Sequence, residues 1–402
     1  MPSLFRGLKP ALVLSFALAS LLPHVASATE SSFVYENVNP DRGANLVAAL
    51  RVVSGGAASI VPGSPFATGG NGLASTTGAE FAHRIASCEA RSLLFAANDG
   101  SGTISVFEIE TGTGVIRAVP GSPFNVGWSA FAGISLTPSK DCRTLYASGP
   151  NIVSLAVAES GALSVIGARW SFTQRAAGIA VNPDSSRLFL SMSGGVAILH
   201  SGEGGLTADP PQIVSIGTSA TDLGLDSSGT WLYVGTRSGG IQAYRYDAGS
   251  LQVAPGAPFF SSLPEIGGIA IDHAGRFLVA YSPLTPRLLA ARTNADGSLT
   301  LSPGSPLAPP LTPVAGALSP AATLLFTADA VGQLDVWSAA ADGSLAHLPG
   351  YPFLTGAGPG FPSLATFVAT NPVPSAPGPW LAALAALLLL SALLALRRNA
   401  TR

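Results

Sequence analysis

The sequence predicts an all-β architecture of seven four-stranded blades arranged in a ring, and three observations lead there. The first is a recurring phrase. Val61-Pro-Gly-Ser-Pro-Phe66 returns as Val119-Pro-Gly-Ser-Pro-Phe124, Ala254-Pro-Gly-Ala-Pro-Phe259, Ser302-Pro-Gly-Ser-Pro-Leu307 and Leu348-Pro-Gly-Tyr-Pro-Phe353. From Gly121 to Gly256 is 135 residues, or three periods of 45, so two degenerate copies belong between them, near Trp170-Ser171-Phe172 and Pro210-Pro211. The second is a set of short strands in step with that phrase. The third is composition: 46 Gly, 32 Pro and 47% hydrophobic residues, with only 10% charged. Many short strands joined by Gly/Pro turns explain that balance, whereas disorder requires low hydrophobicity and high charge.

Each blade is built from the same elements in order. Its first strand is Gly-hydrophobic-small-hydrophobic, as in Gly133-Ile-Ser-Leu136, Gly178-Ile-Ala-Val181 and Gly268-Ile-Ala-Ile271. A polar turn leads to a second strand with an aromatic, such as Leu145-Tyr146 or Leu188-Phe189. A third follows, as in Thr103-Ile-Ser-Val-Phe107 and Gln333-Leu-Asp-Val-Trp337, then a Gly-x-Leu turn into a fourth. Period-2 alternation with β-branched and aromatic residues makes these strands. Four strands per roughly 45 residues is a β-propeller blade. The first blade begins at Phe33-Val34-Tyr35, which matches a second strand, and a spare strand lies near Ser363 to Val368. The C-terminal strand is therefore expected to complete the first blade and close a seven-bladed β-propeller spanning residues 29–370. A six- or eight-bladed ring and a β-solenoid are the competing arrangements.

The ends read differently. Residues 1–28 have the form of a signal peptide: Arg6 and Lys9, an apolar run from Ala11 to Leu22, and Ala26-Ser27-Ala28 as a cleavage site. Residues 371–379 form a Pro-rich spacer. Residues 380–396 are apolar apart from Ser391 and, as a helix, span about 25 Å, enough for one thin transmembrane crossing. Residues 397–402 form a basic tail that suits the cytoplasmic side, leaving the body outside. A membrane is thus an expected partner, and the expected location is the cell envelope. Without Arg6, Lys9, Arg397, Arg398 and Arg402 the chain carries 15 basic and 22 acidic residues. That acidic balance, with no Lys/Arg cluster, argues against nucleic acid.

Two resemblances accompany this reading. The succession of strand, Asn-Pro-Asp turn (Asn182-Pro183-Asp184), strand, Gly-x-Leu and Pro-Gly-Ser-Pro-Phe resembles the lactonase-type seven-bladed propellers, 6-phosphogluconolactonase-like, in their bacterial surface branch. The likeness covers about residues 31–370 and implies the fold; for activity it implies only a lactone or ester hydrolase as one option, since one fold hosts many functions. Val373-Pro374-Ser375, Trp380 and the terminal arginines resemble a C-terminal sorting signal of the IPTL-CTERM or PEP-CTERM type. The chain lacks the Thr-Leu of the first and the Glu of the second after its Pro. This likeness implies a sorting peptidase as a partner.

Propeller sites sit at the channel mouth, lined by the starts of the first strands and the loops before them. The candidates there are Glu80, His83, Arg84, Trp128, Arg175, Asp222 and Glu265. Glu80, Asp222 and Glu265 offer carboxylates for general-base work, and Arg175 could hold an anionic substrate bidentately. His83, Arg84 and Trp128 would contribute binding. The competing reading makes all of these rim residues, solvated or paired across neighbouring blades. The remaining histidines, His200, His273 and His347, lie in separate blades at different positions and form no metal set, and no cofactor is implied. Asn98-Asp99-Gly100, Asp296-Gly297 and Asp342-Gly343 have hairpin rather than calcium-loop spacing. No Gly-x-Ser-x-Gly elbow occurs in the body. Cys88 and Cys142 fall in equivalent turns of adjacent blades, so a disulfide and two free thiols are both open. The functional expectation is an anchored binding module whose ligand is a protein, a glycan or a small molecule. A lactonase-like hydrolase is the alternative.

Overall fold

The computed structural model describes residues 31–369 apart from 54, 74–82, 131–132, 174–175, 248 and 264. Within it the chain forms seven antiparallel sheets of four or five strands. Blade 2 shows the plan: Ile85–Cys88 is innermost, then Leu93–Asn98, Thr103–Ile109 and Ile116–Ala118. The inner strands of the other blades are Ser135–Pro138, Ala176–Val181, Ala220–Leu225, Gly268–Ile271 and Ala315–Leu318 for blades 3 to 7. Blade 1 takes its inner strand from the far end of the chain. Ser363–Ala369 pairs antiparallel with Ser31–Asn37, from Ser31↔Ala369 to Asn37↔Ser363. The expected closure is thus present, and the ring has seven blades rather than six or eight.

The core is distributed rather than central. Seven clusters of buried side chains occur, one at each interface between neighbouring blades. Alternation along each strand sends successive residues to opposite interfaces, so Val34 packs toward blade 7 and Phe33 and Tyr35 toward blade 2.

The repeated Pro-Gly-Ser-Pro-Phe phrase has a defined task. Its second Pro follows a cis peptide bond at all five copies, from Ser64-Pro65 to Tyr351-Pro352, and its Gly has positive φ. The loop turns the chain back past the fourth strand, and the following residue pairs with the start of the third: Phe66↔Val47, Phe124↔Ile104, Phe259↔Ile241, Leu307↔Leu288 and Phe353↔Leu334. The Ser hydroxyl accepts a third-strand amide that the short fourth strand leaves unmet. Ala49, Val106 and Ala290 donate to Ser64, Ser122 and Ser305 at 2.9, 3.0 and 2.9 Å. The degenerate copies do the same job differently: Trp170 pairs with Ile152, and Gln212–Ser215 pairs with Gly195–Ile198.

Cys88 and Cys142 are joined by a disulfide, with Cα atoms 6.0 Å apart, stapling blade 2 to blade 3. Residues 1–30 and 370–402, where the signal peptide, spacer and anchor are expected, lie outside the described residues. Among those described, no helix is long and apolar enough to cross a membrane.

Candidate functional site: the channel mouth

The two faces of the ring are chemically different. One, the mouth, carries the starts of the inner strands and the ends of the second strands. The other carries the turns between first and second strands.

His83 precedes the inner strand of blade 2, and Asp222 lies in the inner strand of blade 5. These blades are three apart on the ring, yet His83 Nε2 lies 2.8 Å from Asp222 Oδ1, so the contact crosses the channel. A carboxylate only accepts, so Nε2 carries a proton, and in the neutral ring Nδ1 keeps its lone pair. Asp222 is fixed from behind. Its Oδ1 also accepts the Leu223 amide at 2.8 Å, and Oδ2 accepts the Ile269 amide of blade 6 at 2.8 Å. Gly178 of blade 4 makes room for it, because a Cβ there would lie 2.5 Å from Asp222 Oδ1. His83 is 26% exposed and Asp222 1%. Burial alone would lower the imidazole pKa, but the charge and hydrogen bond of Asp222 outweigh it and hold His83 above its ordinary value.

Glu265 stands beside this pair, before the inner strand of blade 6. Its neighbour Ile266 accepts from Thr221 Oγ1 at 2.5 Å and donates to the Thr236 carbonyl at 3.1 Å. Glu265 is nearly enclosed and pairs with the half-exposed Arg237, 3.6 Å away. Arg237 is absent from the sequence-based set, because it follows a second strand rather than preceding a first.

Arg84 and Trp128 face the interior of the ring wall, not the channel. Arg84 is fully buried. Its Nε donates to Asp99 Oδ2 at 2.8 Å, and its Nη1 to the Phe361 carbonyl at 3.1 Å. Asp99 also accepts the Gly133 and Ile134 amides of blade 3 at 2.8 and 3.2 Å. Together they tie blades 1, 2 and 3. The Asn98-Asp99-Gly100 segment is therefore a hairpin turn with a buried inter-blade clamp in its middle. Trp128 is 6% exposed, packs in the cluster between blades 2 and 3, and donates Nε1 to Asn151 Oδ1 at 3.0 Å. Glu80 and Arg175 lie outside the described residues.

Two contacts are unexpected from the sequence. Glu36, on the second strand of blade 1, is 1% exposed at the seam with blade 7. Burial pushes its pKa up to about 7; a Thr355 hydrogen bond opposes this and the Asp329 charge adds to it. The second is that of His347, whose Nε2 lies 2.6 Å from the buried Asp335, away from the mouth in the outer strands of blade 7. No trio of His, Cys, Asp or Glu among the described residues could hold a metal ion.

Solved structures with this architecture are numerous. The periplasmic gluconolactonase of Pseudomonas aeruginosa superposes with a TM-score of 0.65 at 17% identity, over 85% of this chain and 100% of that one. The chain shares its seven-bladed fold. A candidate 6-phosphogluconolactonase from Bacteroides fragilis gives 0.64 at 14% identity, covering 86% of this chain and 99% of that one. A Lactobacillus plantarum protein gives 0.66 at 14%, over 85% and 100%. No family model matches the chain, and no curated protein does. The structural neighbours are thus 6-phosphogluconolactonase-like, and at this identity they speak for the fold alone.

Proposed function

We propose that the channel mouth hydrolyses lactones or related cyclic esters, with His83 as general base. The observation that carries this is the 2.8 Å contact between His83 and Asp222. Asp222 orients the ring and stabilises its charged form, which is the office of the carboxylate in hydrolase dyads and triads. His83 Nδ1 takes a proton from water as the water oxygen attacks the lactone carbonyl. The ring C–O bond breaks, the imidazolium returns the proton to the departing alkoxide, and a hydroxy acid leaves. Arg237, held by Glu265, is the nearby cation for an anionic substituent on the substrate. The gluconolactonase neighbours support this substrate class.

The test is a panel of gluconolactone, 6-phosphogluconolactone and γ-lactones assayed by acid release. Because His83 is held above its ordinary pKa, the rate should still be rising with pH above about 6.5, where a free imidazole is already more than half deprotonated. His83→Gln should lower kcat by about 10²-fold or more without lowering the melting temperature below the assay range. No turnover across the panel, or turnover unaffected by His83→Gln, would overturn the assignment.

A second reading, an anchored binding module, is favoured by a separate observation. Arg84, Asp99 and Trp128 are consumed by contacts within the ring wall, which leaves His83, Asp222, Glu265 and Arg237 as the mouth groups among the described residues. In either case we propose export and anchoring by residues 380–396. The support is the signal-peptide pattern of residues 1–28, the apolar run and the flanking arginines.

A further inference from the structure

The face opposite the mouth carries a groove between blades 5 and 6, with two adjoining cavities of about 480 and 250 Å³. Both are lined by Thr230, Trp231 and Ala295, so a single indole stands between them. Its position is fixed by the blade 6 turn. Gly297, at φ +78°, lies against the ring, where a Cβ would collide with it. Trp231 stays only partly buried, while Tyr233 behind it is enclosed.

The sheet places a polar row beside the indole. Trp231 pairs across strands with Arg245, and Arg245 with Gln252, so the three share one face in line. Arg245 and Gln252 are exposed and line the larger cavity with Asp296. Asp226 and Asn294 line the smaller one. Asp226 is already occupied by the Thr230 and Trp231 amides and the Ser228 hydroxyl, which makes it scaffold rather than contact.

An aromatic wall between two small cavities, rimmed by planar hydrogen-bonding groups, suits a particular ligand chemistry. The apolar C–H face of a pyranose lies against an indole, and paired donors on Arg and Gln match adjacent hydroxyls. Charge narrows the choice. One arginine faces two aspartates, so a polyanion meets net repulsion and a neutral chain does not. The larger cavity falls within the roughly 300–1,000 Å³ of small-molecule sites. The groove also opens on the face from which both ends of the ring, Ser31 and Ala369, emerge.

We propose that this groove binds a neutral oligosaccharide, with sugar units in the two cavities on either side of Trp231 and with Arg245 and Gln252 holding hydroxyls. This site is independent of the mouth, so it stands or falls separately from lactone hydrolysis. The experiment titrates the full chain, in a detergent without a sugar headgroup, with maltotetraose, cellotetraose and chitotetraose. Tryptophan fluorescence and calorimetry are the readouts. At least one of the three should bind saturably. Arg245→Ala and Gln252→Ala should each weaken it about tenfold, as expected for losing one or two hydrogen bonds, with the melting temperature unchanged. Trp231→Phe should abolish the fluorescence change while calorimetric binding persists, and His83→Gln should leave binding intact. No saturable binding of any of the three up to about 10 mM, or binding insensitive to both surface substitutions, would overturn the proposal.

Discussion

Glu36 is a carboxylic acid with one oxygen enclosed and no hydrogen-bond partner for it. Its folded pKa, about 7, lies above the 4.5 of an unperturbed glutamate, so the folded ring holds this proton more tightly than the unfolded chain does. The stability that goes with it is complete below about pH 4.5 and is lost as pH rises through 7. At 1.36 kcal/mol per unit the loss amounts to about 3 kcal/mol. Urea unfolding should therefore show stability falling between about pH 4.5 and 7 and levelling above that, and Glu36→Gln should flatten the fall; an unchanged slope in the variant would assign the effect elsewhere. Glu36 was not legible in the sequence, because a strand pattern says which residues alternate but not which alternate face meets another acid. The mouth shows the same limit. His83 and Asp222 were each legible as mouth positions, but their contact depends on the diameter of a ring that only the assembled blades define. Arg84, next to His83 in the turn before the inner strand, is sealed inside the wall against Asp99, and nothing in the local pattern separates the two.

At the scale of elements, strand order and blade count were readable because the Pro-Gly-Ser-Pro-Phe phrase fixes the period. The task of the phrase was not. It reads as a connector, and it is also a fifth segment that pairs back onto the third strand of its own blade. The Ser in it satisfies a ladder amide, so Ser122→Ala should orphan the Val106 amide and cost about 1–2 kcal/mol in denaturant unfolding. The natural Ala257 marks a copy that does without this bond. A cost near zero at Ser122 would mean that water reaches the amide. The cysteines show how far turn equivalence carries. Adjacent blades place equivalent turns side by side, and the disulfide follows, although the spacing of 54 residues could not itself decide the pairing.

For the whole molecule, closure by Ser363–Ala369 is the step on which two of the seven interfaces depend. Leu364 packs toward blade 7, and Ala365, Phe367 and Ala369 toward blade 2. A chain ending at residue 362 should leave both clusters open, together with the inner edge of Ser31–Asn37. The expected outcome is loss of a sharp melting transition and association in size-exclusion chromatography. A monodisperse, cooperatively melting product would show that six blades suffice. This was the most legible feature of all, because an incomplete first blade and a spare last strand can each be found by counting.

That closing strand also has a mechanical meaning. Asn37 and Ser363 lie at the mouth, so Ser31 and Ala369 leave by the opposite face, and the proposed tether would hold the ring with its mouth turned outward. Traction on the tether enters at Ala369, along the axis of a strand with seven partnered residues. The load is then borne in shear by all seven pairs together rather than peeling them one after another. The strand that completes the ring is by its direction also the one suited to hold it in a current.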